Sequence, residues 1–238
     1  MTTLDHGIAA ALEAALPHRV HRPDSAGYRD SLARIFFPDA SRRRPPRVDD
    51  GAVLLDLSSH LSHARPCGTL VETQGGATVG SILDSLADSG RVIPVGIVGL
   101  AGLGLVTRGG VGYLTRSVGL TLDHLVEVEL ILPDGEIVRL YEDSTGDDAD
   151  LWWAVRGCAP SFGVVTEAVM RTHEQGPVHV DRAVVELDAL PHYFAVAPTL
   201  PRHTTMGAVL GYAVGAAEPA VLVYTATPVL PPSPEEHR

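Results

Sequence analysis

The 238-residue sequence predicts an α+β fold, and three observations carry it. Val79, Ile82, Leu83 and Leu86 recur at helical spacing. Val126–Leu132 and Glu136–Leu140 are apolar runs of strand length, joined by the turn residues Pro133, Asp134 and Gly135 into a hairpin. Between that helix and that hairpin, Gly96 to Gly119 is the densest glycine region of the chain. Its glycines are interleaved with Val, Leu and Ile instead of Ser, so it reads as backbone shaped for close approach and not as a flexible linker.

Taken in order, residues 7–17 have the apolar spacing of a short helix stopped by Pro17, and 28–37 of a second ending at Phe36 and Phe37 before Pro38. Residues 38–51 hold three Pro, four Arg and three Asp without periodicity and read as a loop. Ala52–Leu57 and Thr69–Thr73 read as strands. Thr78 suits an N-cap and Gly90 a C′ position around the helix between them. Asp150–Arg156 reads as a helix with Asp147, Asp148 and Asp150 at its positive end. Phe162–Thr172, Ala183–Leu187 and Ala220–Thr225 read as strands, separated by Pro-rich breaks, and 226–238 as a frayed end.

Composition narrows the function. All 18 cationic side chains are Arg, since the chain has neither Lys nor Asn. That excludes a Walker-A lysine, a Schiff-base lysine and N-glycosylation. Both residues have AA-starting codons, so their absence reads as the background of a GC-rich genome. A net charge of −11 argues against a nucleic-acid partner, and Arg42, Arg43, Arg44 and Arg47 read as a solvated basic loop. Two cysteines make no disulfide framework. No apolar run has the length of a membrane span and the N-terminus lacks the form of a signal peptide, so a soluble, cytoplasmic protein without a membrane partner is expected.

Gly102, Gly109, Gly110 and Gly112 precede a helix start, where glycines let successive N–H groups converge on an anion such as a dinucleotide pyrophosphate. The strict Rossmann spacing is absent, and tight turns in a packed core explain the same glycines equally well. His60, His63 and Cys67 have a zinc-like spacing without a second ligand pair and read as surface residues, so no metal site is expected. Cys158 reads as a buried thiol, Trp152 and Trp153 as core, Arg116 and Arg156 as members of ion pairs, and Asp123 as a turn former.

Five pieces stand in one order: the glycine loop, Gly112 to Asp123 (GYLTRSVGLTLD), Pro133-Asp134-Gly135, Asp150 to Gly157 (DLWWAVRG) and Phe162 to Thr166 (FGVVT). In that order they resemble the berberine-bridge-enzyme branch of the FAD-linked oxidases, whose flavin domain is of the PCMH type. The resemblance covers about Gly51 to His173. It implies a PCMH-type FAD-binding fold of two α+β subdomains, the first incomplete, followed by the beginning of a substrate domain. The divisions are 1–48 (N-terminal segment and remnant of the first subdomain), 49–175 (FAD-binding domain) and 176–238 (partial substrate domain). It further implies FAD as cofactor, held by the backbone at Gly96, Val98, Ala101, Gly102, Gly109, Gly110 and Gly112, with Gly163 and Val165 toward the adenine.

The departures carry as much. Val98 stands where many members tether flavin to a cysteine, and no Arg-Gly-Gly-His loop is present, so any FAD is non-covalent. About one strand–helix–strand unit is missing near residue 48. The function implied is an FAD-dependent oxidase passing hydride from a small organic substrate to flavin, with O2 as acceptor. The alternative is a degenerate, inactive PCMH-fold binding module. Tyr193, Tyr212 and Tyr224 are the tyrosines in the partial substrate domain, and none is assigned as the catalytic base.

Overall fold

The structure, a computed structural model, describes residues 6–22, 25–33, 53–96, 98–212 and 217–229. It divides into two compact units, Met1–His60 and Leu61–Arg238. The first contains α1 (His6–Ala15) and α2 (Ala26–Ala33), with Arg22 gripping the Glu13 carboxylate by two bonds of 2.7 and 3.0 Å. The sequence-predicted loop 38–51 and the end of the second predicted helix lie outside the described residues. The expected strand 52–57 is not formed: 53–57 pairs with no described strand, and Val53, Leu54 and Leu55 stand exposed.

The second unit is built on an antiparallel five-stranded sheet in the order β1-β2-β6-β4-β5. Its strands are β1 (Ala64–Cys67), β2 (Leu70–Gln74), β4 (Leu125–Ile131), β5 (Ile137–Tyr141) and β6 (Val164–Arg171). The first two form a tight hairpin around Gly68, whose φ of +60° suits glycine. Pro66 is tolerated because β1 is an edge strand with pairing on one side only. Along β4 the buried positions run Leu125, Val128, Leu130, a skip in the two-residue period that the register shift between Leu125 and Glu127 absorbs.

One face of this sheet carries the core: Val71, Val128, Leu130, Leu140, Ala168 and Met170 pack with Val79, Ile82 and Leu86 of α3 (Val79–Leu86) and with Trp152 and Val155 of the helix Asp147–Cys158. The predicted cap of α3 is present. The Thr78 hydroxyl accepts from the Ser81 N–H at 3.1 Å, the Ser81 hydroxyl accepts from the Thr78 N–H at 3.1 Å, and Gly90 closes the following turn at φ +64°. Thr78→Ala is expected to cost about 1 kcal/mol, read as a thermal midpoint lower by about 3 °C.

Two short helices follow α3, α4 (Leu103–Val106) and α5 (Thr115–Val118), and the helix Asp147–Cys158 is α6. A two-stranded ladder pairs β3 (Arg91–Val92) with β7 (His173–Glu174). Beyond it, β8 (Val178–Val185), β10 (Pro219–Pro228) and β9 (Thr205–Tyr212) form a three-stranded sheet with β10 central. The helix α7 (Leu190–Val196) and strand β9 were not anticipated. Pro191 and Pro198 read as breaks in sequence, yet Pro191 starts α7, where a missing N–H is harmless.

Candidate functional site

The glycine loop, Ile93 to Gly112, runs from β3 to the turn before α5, and three seams hold it. At the first, the N-terminus of α3 reaches it from the side: Val79 N–H donates to the Ala101 carbonyl and Gly80 N–H to that of Gly99, both at 2.7 Å. At the second, Thr121 closes the base. Its N–H donates to the Gly110 carbonyl at 3.2 Å, and its one hydroxyl proton is shared between the carbonyls of Gly110 and Pro94. At the third, Thr115 Oγ1 accepts from Gly112 N–H at 2.8 Å.

These seams divide the glycines by role. A Cβ on Gly112 would fall on the Val95 carbonyl, one on Gly110 on the Thr121 side chain, and one on Gly163 on the Ile131 carbonyl. Those three serve backbone packing. Gly109 is different: it is buried with φ +135°, yet a Cβ there would meet nothing within 4 Å. It borders a hollow. In the same loop, the N–H groups of Gly96, Gly110 and Val111 donate to no partner among the described residues.

The surroundings fit a flavin dinucleotide. From Ile93 to Gly112 there is no carboxylate and one charge, the exposed Arg108. Val98, Leu100, Leu105 and Val111 are 43%, 69%, 41% and 68% exposed, an apolar surface that an aromatic ring system would cover. Gly96 lies against both Leu105 and the Val111 carbonyl, so free donors and apolar side chains belong to one surface. Convergent N–H groups without a side chain in the way suit pyrophosphate oxygens.

Of the residues expected at the cofactor, Gly96, Val98, Ala101, Gly102, Gly109, Gly110 and Gly112 thus share one loop. Gly163 and Val165 lie instead at the start of β6, with Val165 packed against the core. The connection between them was missed in sequence: Gly75 N–H bonds the Thr166 carbonyl of β6 at 2.7 Å, and Gly102 sits on the Ala77 carbonyl two residues later.

Several expectations need correction. Among the described residues Arg116 makes no ion pair but donates to three backbone carbonyls, Thr204 at 2.8 Å, Leu200 at 2.8 Å and Ala197 at 3.3 Å. Arg202 returns the bond, its Nε donating to the Arg116 carbonyl at 2.7 Å. Trp153 is 78% exposed, not core, because adjacent helical positions point about 100° apart and Trp152 takes the inner one. Cys158 is exposed, not buried: Gly157, at φ +148°, kinks the end of α6 and turns the thiol outward, toward the Ser161 hydroxyl. Arg156 does pair, with Asp123 at 3.5 Å, and Asp123 caps its turn by accepting from Leu120 N–H at 3.0 Å. His60 and His63 are exposed.

Beside the loop's downstream end, Tyr113 and Tyr224 meet edge to face with ring centroids 5.5 Å apart. Burial, followed by the neighbouring Tyr113 and Tyr193, raises the Tyr224 phenol above its ordinary range, so it is a neutral hydroxyl at physiological pH. Tyr212 is 69% exposed at the end of β9. A separate groove of about 430 Å³ lies on the outer face of the five-stranded sheet. There Arg139 bridges Glu127, Glu129 and Glu167 at 2.6, 2.7 and 3.1 Å, a surface of paired charges.

A glycine loop with free donors and an apolar surface, mounted on an antiparallel sheet, defines a flavin-binding module of the PCMH type. Residues 44–141 match the FAD binding domain family. The chain is similar to FAD-linked oxidoreductases over this domain and has the fold of berberine-bridge-enzyme-like proteins. It is 40% identical over 109 residues to the FAD-linked oxidoreductase pgmH of Aspergillus terreus, which covers 45% of this chain and 22% of that protein. To the (R)-6-hydroxynicotine oxidase of Paenarthrobacter nicotinovorans it is 35% identical over 131 residues, 53% of this chain and 28% of that one. The crystal structure of 6-hydroxy-D-nicotine oxidase from Arthrobacter nicotinovorans superposes with a TM-score of 0.65 at 25% identity, over 75% of this chain and 41% of that one. BBE-like #28 from Arabidopsis thaliana shares the fold, with a TM-score of 0.66 over 76% of this chain and 38% of that one. The chain therefore matches less than a third of the length of these curated relatives. Among the described residues, no helix is long and apolar enough to cross a membrane.

Proposed function

We propose that the chain binds FAD non-covalently on the glycine loop and forms the flavin-binding part of an oxidoreductase acting on a small organic molecule. In this reading residues 49–175 hold the cofactor and 176–238 begin the substrate-binding part. The single observation that carries it is a glycine loop in which the N–H groups of Gly96, Gly110 and Val111 have no partner among the described residues and the buried Gly109 leaves open space where a side chain would stand. Gly96, Gly109, Gly110 and Val111 would meet the pyrophosphate, with Arg108 adding positive charge, and the apolar surface of Val98, Leu100 and Leu105 would exclude water from the ring system. Gly163 and Val165 would lie toward the adenine. When bound, FAD supplies the acceptor for a hydride from a substrate C–H bond, and O2 reoxidises it. Valine at position 98 offers no atom for a thioether, which favours non-covalent binding.

The test is binding of FAD to the purified chain. A yellow protein that yields its flavin on acid precipitation and gains thermal stability with added FAD is expected; a colourless protein with no thermal shift overturns the reading. Val111→Asp places a carboxylate at an exposed position beside the free donors without filling the core. It is expected to weaken FAD binding about tenfold, equivalent to about 1.4 kcal/mol, with the apo-protein melting unchanged.

A further inference from the structure

His124 and His173 form a bonded pair at the root of the glycine loop. His173 Nε2 and His124 Nδ1 are 3.1 Å apart, the rings meet edge to face at 4.5 Å, and His124 Nε2 lies 2.9 Å from the Val118 carbonyl. A carbonyl only accepts, so His124 carries its proton on Nε2 and presents a bare Nδ1, to which His173 Nε2–H donates. Both ends of the loop meet in this pair. His173 pairs in β7 with Val92 of β3, the strand that leads into the loop. His124 closes the turn whose Thr121 holds Gly110, and Val118 ends α5 just downstream.

We propose that the His124–His173 pair is a clamp that positions the glycine loop by tying its upstream strand to its downstream turn, and that protonation of the pair releases it, so that cofactor binding has an acid limit. The inference rests on the loop being the FAD site.

The surroundings set the sign. On β3, Arg91 is fixed by Thr172, its Nε donating to Oγ1 at 2.6 Å and its Nη2 to the carbonyl at 2.7 Å. On β7, Glu174 pairs with Arg91 at 3.4 Å but is 89% exposed, so it neutralises little. On the turn, the Asp123 carboxylate is committed to Leu120 N–H and Arg156, and on α5 Arg116 is committed to the Ala197, Leu200 and Thr204 carbonyls of the segment before β9. An added proton therefore places charge in a half-buried spot beside a cation, where the described carboxylates on the packed elements are already committed or exposed. A proton on each ring would also set two N–H groups face to face. Burial first, then His124 and Arg91, holds the His173 imidazole below its ordinary value of 6.5. With the folded value depressed, the unfolded chain binds more protons. Stability is therefore intact above about 6.5 and is lost as pH falls below it toward the folded value.

Two readouts on the intact chain test the clamp: amide hydrogen exchange of residues 93–112 without flavin, and FAD affinity, each at about pH 7.5 and about pH 5.5. The expected result is that acid lowers the protection of the loop amides, after correction for their slower intrinsic exchange, and weakens FAD binding as the pair takes up its proton. H173Q, which keeps a donor and cannot be protonated, removes both acid steps while retaining affinity at the higher pH. If FAD binds and neither step depends on His173, the clamp is overturned and the FAD site stands. If FAD binds at no pH while loop exchange keeps its His173-dependent step, the clamp stands and the FAD site falls. Should H173Q fail to fold, the Cε1–H resonances of the unmodified chain decide. Titration of His173 below its ordinary value supports the clamp, and titration at the ordinary value overturns it.

Discussion

Gly112→Ala is expected to lower the thermal midpoint by about 10 °C and to abolish FAD binding, the largest single effect available in the loop. The added methyl would fall on the Val95 carbonyl. That oxygen belongs to backbone entering the loop, held on one side by the Val95–Ile93 turn and on the other by the Pro94–Thr121 bond, so it has no side-chain freedom with which to yield. Relief requires the two limbs of the loop to part, which breaks the Gly112–Thr115 bond and moves Val111 from Gly96. We put the loss at about 4 kcal/mol, the upper end for one substitution. The control is Gly104→Ala. A Cβ there meets nothing within 4 Å, and the residue lies exposed inside α4, so that change is expected to be neutral or to stabilise by about 0.5 kcal/mol. Parallel melting curves and FAD titrations check both, and equal behaviour of the two variants contradicts the packing account.

Arg116→Met comes second, at about 3 kcal/mol, with the expected damage concentrated in the second sheet. The guanidinium supplies charged donors to three carbonyls between Ala197 and Thr204, and methionine preserves much of the stem while removing every donor. Neighbouring bonds remain in place, from the Thr205 hydroxyl to the Tyr113 carbonyl and from Arg202 to the Arg116 carbonyl, so the sheet is loosened but not detached. Hydrogen exchange is expected to rise in residues 197–205 and much less in the five-stranded sheet. Exchange rising equally across both sheets contradicts this placement.

Much of the fold was legible in sequence wherever one local rule acted alone. The helix after Thr78 announced its cap, its apolar stripe and its stop, and the β4–β5 hairpin announced its turn. Legibility failed where pairing decided. Ala52–Leu57 has strand composition, yet its described residues 53–57 join no strand ladder, while Ala64–Cys67, with an Arg and a Pro among four residues, becomes a strand because β2 returns beside it. The site failed differently. Glycine is the answer both to a ligand's approach and to a neighbouring backbone's, so Gly109 and Gly112 look alike in sequence while one borders a hollow and the other a carbonyl. Arg116 was visible as a motif residue, but its carbonyl partners lie more than eighty residues away and carry no charge to signal them.

Sequence separation has a consequence for the order of assembly. The bonds that close the glycine loop on Thr121 span 11 and 27 residues, whereas those from Arg116 to the segment leading into β9 span 81 to 88. Closing the shorter segments costs less chain entropy, and the difference grows only logarithmically with length. The threonine base of the cradle is therefore a short-range closure, whereas its β3–β7 root and the Arg116 tie are long-range ones whose loop entropy must be met from other contacts.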